Sequence, residues 1–150
     1  MRSGSAAIEI DASPEDVFDL IHDYSQRLQW DPFLRKAYLL DGATQADVGV
    51  CSRCVARRAA GGLAMDTEYV SFKRPDVAAV KMTNGPFFLG RFAASIRHEP
   101  LGGNRCRVVY KYSFTAFPKW LGWVIEPIVG WVFQRETVRR LWALKDRLEC

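Results

Sequence analysis

The 150-residue sequence is poor in the groups that most chemistry needs, with only two histidines and four cysteines. Nowhere does it hold about eighteen uninterrupted apolar residues, which argues against a membrane-spanning helix. Its N-terminal stretch MRSGSAAIEIDAS has no apolar core of a secretory signal, so a cytoplasmic location is expected, with Cys51, Cys54, Cys106 and Cys150 as thiols. Cys51-x-x-Cys54 is half of a zinc motif without its second half. Its flanks read as a strand, which points the two sulfurs to opposite faces, and no metal is expected. There is no Ser-His-Asp set, no phosphate-cradling glycine loop and no cofactor motif. The net charge of +4 is modest and its cations are scattered. Their densest cluster, Arg135, Arg139, Arg140, Lys145 and Arg147, alternates with Glu136, Asp146 and Glu149, as on a solvated helix face, and nucleic acid is not an expected partner.

Apolar residues, in contrast, are plentiful. A hydrophobic fraction of 49% and an aromatic fraction of 13% exclude a disordered chain and suit one globular domain over residues 1–150. Phe117 to Glu149 dominates the sequence. Trp120 to Phe133 is almost wholly apolar, and Trp131, Val138, Leu141, Leu144 and Leu148 then recur at three-, four- and seven-residue intervals, marking one helix face. Gln134 and Thr137 fall on the same side. Pro127 and Gly130 predict a short helix from about Lys119, a kink or break near Pro127, and then a main helix.

Ala6 to Ala12 alternate as a first strand. Ser13-Pro14-Glu15-Asp16 then opens a helix, with Ser13 as N-cap and Pro14 in the first helical position. A second brief helix follows and stops at Asp31-Pro32. From Phe33 to Phe117 six strands are expected: Phe33–Leu40, Val48–Arg58, Leu63–Lys73, Val77–Thr83, Phe87–Glu99 and Arg105–Phe117. The signals between them, such as Asp41-Gly42 and Gly102-Gly103-Asn104, are short turns, so the strands form an antiparallel meander. The class is α+β. In the last strand Tyr110, Tyr112 and Phe114 oppose Lys111 and Ser113, and in the strand before it Phe88 and Phe92 oppose Arg91. One face is wet and the other aromatic. Asp66 and Glu68 share a side with Ala64, which reads as the solvent side, whereas His22 closes the first helix and His98 lies at a strand end.

The capped helix Ala12–Ile21, Trp30-Asp31-Pro32, the meander, and the closing Glu126-Pro127, Arg135-Glu136-Thr137 and Leu144–Glu149 resemble the START/Bet v 1-type helix-grip superfamily (SRPBCC) over nearly the whole chain. Its polyketide cyclase/dehydrase and lipid-transport group is the most similar. The resemblance implies a seven-stranded curved antiparallel sheet gripping the long C-terminal helix. Two short helices, Pro14–His22 and Ser25–Gln29, would sit between strands 1 and 2. It also implies a deep cavity, lined by Met82, Phe88, Phe92, Tyr110, Tyr112 and Phe114 from the sheet, Trp131, Gln134 and Val138 from the helix, and Trp30 and Phe33 at the small-helix end. Such a wall suits a lipid, polyketide or quinone, bound, transported or presented without catalysis. A polyketide cyclase or dehydratase using the same cavity is the alternative. The third reading takes Trp120–Trp131 as a membrane-surface element or a homodimer contact.

Overall fold

Seven strands make one antiparallel sheet in a computed structural model that describes residues 2–149. Cys150 lies outside the described residues. The strands are β1 (Arg2–Ile10), β2 (Leu34–Leu39), β3 (Cys51–Ala56), β4 (Ala64–Lys73), β5 (Val77–Asn84), β6 (Leu89–Gly102) and β7 (Arg105–Ala116). Their order, β1-β7-β6-β5-β4-β3-β2, is the expected meander with β1 returned against β7. Register shifts at Leu34/Lys36, Asp66/Thr67, Tyr69/Ser71, Leu89/Arg91 and Pro100/Gly102 bend and twist the strands, and the sheet curls.

Helix α1 (Pro14–His22) begins as its sequence predicts. The Ser13 hydroxyl accepts the Asp16 backbone N–H at 3.2 Å, and Val17, Phe18 and Ile21 are buried beneath the helix. Helix α2 (Arg27–Trp30) is shorter than expected and shifted along the chain. Asp23 holds Ser25 and Gln26 by hydrogen bonds, which keeps Tyr24–Gln26 in a turn.

Helix α3 (Gly122–Glu149) corrects two expectations. It runs unbroken for 28 residues through Pro127, and the separate short helix reduces to a 3-10 turn at Lys119–Leu121. The proline sits in the second turn, where it deprives the Trp123 carbonyl of its partner, and Trp123 is 79% exposed, so water can satisfy that oxygen. The second correction concerns phase. Thr137, Leu141 and Leu144 face inward as expected, but they continue to Gly130 and Phe133, whereas Trp131 and Val138 point to solvent. The helix carries two apolar stripes at similar spacing, and the outward one is Val124, Ile128, Trp131, Val138 and Trp142. Among the described residues no helix is long and apolar enough to cross a membrane.

One long side of α3 is fastened to the free edge of β1. Gln134 Nε2 donates to the Ser5 carbonyl at 3.0 Å, Lys145 Nζ donates to the Glu9 carbonyl at 2.8 Å, and Glu149 accepts the Asp11 N–H at 3.0 Å. Three backbone groups that this edge would otherwise leave open are therefore occupied. The main core lies at the α1 end, where Phe18, Ile10, Val108, Tyr69 and Leu144 meet.

The helix phase is testable by denaturation. Leu144→Ala is expected to lower the unfolding free energy by about 2–5 kcal/mol, and Trp131→Ala by under about 0.5 kcal/mol. The opposite ranking in urea titrations would return Trp131 to the inner face.

Candidate ligand-binding cavity

Between the concave face and α3 lies a cavity of about 430 Å³, within the range of small-molecule sites. Six of the eleven residues expected to line it do so: Trp30, Phe33, Phe88, Phe92, Tyr110 and Tyr112. The other five do not. Phe114 lies behind the wall, its ring 6.5 Å from Tyr112 and 5.3 Å from Phe133. Met82 folds over Gly85 at the end of the sheet. Trp131 and Val138 belong to the outward stripe, and Arg135 covers the Trp131 ring at 5.4 Å. Gln134 is turned toward the edge of the sheet, where it accepts the Tyr112 hydroxyl at 2.9 Å while donating to Ser5. Gly4 stands opposite Tyr112, and a side chain there would collide with that hydroxyl.

At the α2 end the wall is polar, and sequence reasoning missed most of it. His22, Tyr24, Arg27, Cys54, Thr67 and Tyr69 all line the cavity. Four of them belong to one chain of hydrogen bonds completed by Ser52. His22 Nδ1 lies 2.8 Å from the Tyr69 hydroxyl, which is 3.0 Å from that of Tyr24. Tyr24 donates to Ser52 Oγ at 3.2 Å, and Ser52 lies 3.1 Å from Thr67 Oγ1. With Tyr24 donating to Ser52, Tyr69 donates to Tyr24, and His22 supplies a proton on Nδ1. The imidazole is then neutral. Burial, with Arg27 and His98 nearby, lowers its pKa to about 3. Burial likewise pushes the Tyr69 phenol well above its usual range, helped by Tyr24.

Two carboxylates are buried under α3, each between two guanidiniums. Asp31 Oδ2 lies 2.9 Å from Arg27 Nε and 3.0 Å from Arg140 Nη2. Glu136 Oε1 lies 3.1 Å from Arg57 Nη2 and 3.2 Å from Arg139 Nη1. Burial alone would raise the Asp31 pKa, but Arg140 and Arg27 outweigh it and hold the carboxyl below the usual range. Arg140, whose side chain is 20% exposed, therefore departs from the solvated face that its sequence pattern suggested, whereas Arg139 remains exposed on it. Arg140 also lies over the Phe33 ring at 5.5 Å. The Arg27–Asp31 spacing of four residues, beside Trp30, and the Glu136–Arg139 spacing of three were the local signals of this cluster.

Two further residues differ from expectation. Asp66 is on the outer face but buried by a two-pronged pair with Arg53, at 2.8 and 2.9 Å. His98 is buried against Phe18 with ring centroids 5.3 Å apart, and neither ring nitrogen has a partner among the described residues. It does not line the cavity, and burial lowers its pKa to about 4.

A family model for polyketide cyclase / dehydrase and lipid transport matches residues 1–149. The chain belongs to that family. No curated protein matches the sequence. Solved structures of the same fold include a START superfamily protein from Mycobacterium smegmatis, at 16% identity and TM-score 0.80, covering 98% of this chain and 97% of that one. The Zhui aromatase/cyclase from Streptomyces sp. R1128 is 17% identical with TM-score 0.79, covering 99% and 93%. The protein XoxI from Bacillus cereus is 19% identical with TM-score 0.79, covering 99% and 96%. At these identities the likeness is one of fold, the helix grip that this family shares.

Acid should expose the buried histidines. The unfolded chain takes up their protons near pH 6.5, whereas the folded protein does so only near 4 for His98 and 3 for His22. Between those values the unfolded state binds more protons, so stability falls as pH drops, by up to about 1.4 kcal/mol per pH unit for each histidine. His98→Leu is expected to remove one such contribution. Its stability relative to the parent, followed by urea titration from pH 7 to pH 4.5, should rise on acidification; parallel curves would mean that His98 does not sit neutral in the core.

Proposed function

We propose that this protein binds one small, largely apolar molecule between the sheet and α3, and carries or presents it without transforming it. The observation that carries this reading is the aromatic wall of the cavity, Phe88, Phe92, Tyr110 and Tyr112 from the sheet, with Phe133 of α3 packed against the Phe92 and Tyr112 rings at 5.3 and 5.8 Å. Lipids, polyketides and quinones all fit a wall of that kind, and the family joins lipid transport with cyclases. A cyclase or dehydratase in the same cavity is less favoured. General acids and bases work best with pKa values near the operating pH, and here His22 lies far below it and Tyr69 far above.

The neutral fluorophore N-phenyl-1-naphthylamine tests the binding reading. A saturable one-to-one titration is expected, and Ala94→Phe, which places a ring in the cavity, should weaken it by about tenfold or more. A protein that neither takes up the dye nor retains any small molecule in native mass spectrometry would overturn the proposal.

A second reading concerns how a ligand enters. Ile128 lines the cavity yet is 61% exposed, and Trp120, Trp123, Trp131, Phe87 and Phe117 are exposed as well. Phe117 is tied to the Phe88 carbonyl at 2.9 Å, which sets this apolar rim beside the wall. Lys119 and Arg135 flank it, while Glu126 is turned inward to the Ala116 N–H. Cations beside exposed tryptophans favour an anionic lipid surface over a second copy of the chain. Flotation with phosphatidylserine vesicles is expected to carry the protein upward, and Trp123→Ser with Trp131→Ser to reduce this severalfold. A dimer by light scattering, with no flotation, would assign the rim to self-association.

A further inference from the structure

The inner end of the cavity holds more positive than negative charge. Three guanidiniums, Arg27, Arg57 and Arg140, meet two carboxylates, Asp31 and Glu136, which leaves one cation in surplus; a fourth, Arg139, reaches Glu136 from the exposed side of α3. Arg27, Arg140 and Glu136 line the cavity. Arg27 is the most enclosed of these guanidiniums, at 8% exposure. Its Nε donates to Asp31 at 2.9 Å and its Nη1 to the Ile21 carbonyl at 3.2 Å. Among the described residues Nη2 has no hydrogen-bond acceptor. The rings of Tyr24 and Trp30, 5.6 and 5.1 Å from the guanidinium carbon, hold the group in place.

A buried cation with a free N–H is stabilised by any acceptor that reaches it, and most by an ionised one. A ligand wholly apolar at this end would leave that N–H unmet. We infer that the α2 end of the cavity is a carboxylate-recognition site, and that the ligand is a monoanionic amphiphile whose acid group accepts from Arg27 Nη2. Its apolar body then runs along Phe88, Phe92 and Tyr110 toward the rim at Ile128. Arg27 keeps its charge here, because Asp31 beside it outweighs the effect of burial. The carboxylate also supplies the one negative charge that Asp31 and Glu136 together lack against Arg27, Arg57 and Arg140.

This inference rests on the cavity being a binding site, and the experiment separates the two. Displacement of N-phenyl-1-naphthylamine at pH 7.5 is measured with two matched pairs, decanoate against decanol and 2-naphthoate against 2-naphthalenemethanol. In at least one pair the acid is expected to displace the dye at a concentration about tenfold lower than its alcohol, or lower still. The pair that shows the preference tells an aliphatic from an aromatic body. Arg27→Met should bring the acid-to-alcohol ratio near one. If that variant fails to fold by circular dichroism, the comparison in the parent protein decides alone. Equal displacement within both pairs, with the dye bound, overturns the carboxylate site and leaves the cavity reading standing; a dye that never binds overturns both.

Discussion

Asp31 and Glu136, each buried between two arginines, are the constraint on which the rest of the molecule depends. Helix α3 is fastened to β1 along one side by backbone contacts and packing. Its other side faces the β2–β3 end of the sheet across a hollow, where packing cannot hold it. The ion pairs span that gap: Arg140 joins α3 to Asp31 after α2, and Glu136 joins it to Arg57 beyond β3. Taking two charges out of water is unfavourable unless the remaining valences are met, and here each carboxylate has two cationic partners. Arg57 also donates to the Pro32 carbonyl, so the brace includes the chain that follows α2. Without these pairs the helix could settle onto the sheet and close the cavity.

The same cluster sets the electrostatics of the interior. Arg27, which holds Asp31 in that brace, lies near His22, and its charge adds to burial in keeping that imidazole neutral. A neutral imidazole then serves the hydroxyl chain from Tyr69 to Thr67 as a donor and not as a base. One end of the cavity is thereby made of fixed dipoles and cations, and the other of aromatic rings. A molecule entering this space meets a direction as well as a shape, which suits holding it in one orientation.

How much of this could be read from the sequence depended on the range of the interaction responsible. The strands were legible in number and order, because alternation and turn residues are local, but their ends less evenly: Val77–Thr83 became Val77–Asn84 and Arg105–Phe117 became Arg105–Ala116, whereas Ala6–Ala12 became Arg2–Ile10 and Val48–Arg58 shrank to Cys51–Ala56. The Ser13 cap was legible too. Helix α3 was legible in extent but not in phase, since its inner and outer apolar stripes have similar spacing and the reading merged them. That error put Trp131 and Val138 in the cavity. The polar end was harder still. Asp31 and Arg140 are 109 residues apart, and each sits in a local pattern that resembles an ordinary surface. Tyr69 faces inward with Met65 and Thr67, opposite Asp66 and Glu68, as strand alternation implies, but its partner His22 is 47 residues away and nothing local joins the two.

The way α3 lies along β1 has a consequence for how molecules of this protein behave toward one another. An open sheet has two rims, and each is a template on which a foreign strand can grow. Along β1 the side chains of Gln134, Lys145 and Glu149 already occupy three of the backbone groups that such a strand would use, the Ser5 and Glu9 carbonyls and the Asp11 N–H. The other rim, β2, presents Arg35 and Lys36 next to a bulge, so an incoming copy would meet like charges on a kinked ladder. A chain that keeps its interior hollow thus obstructs both edges along which its sheet could add strands, by side-chain caps at one and by charge and a bulge at the other.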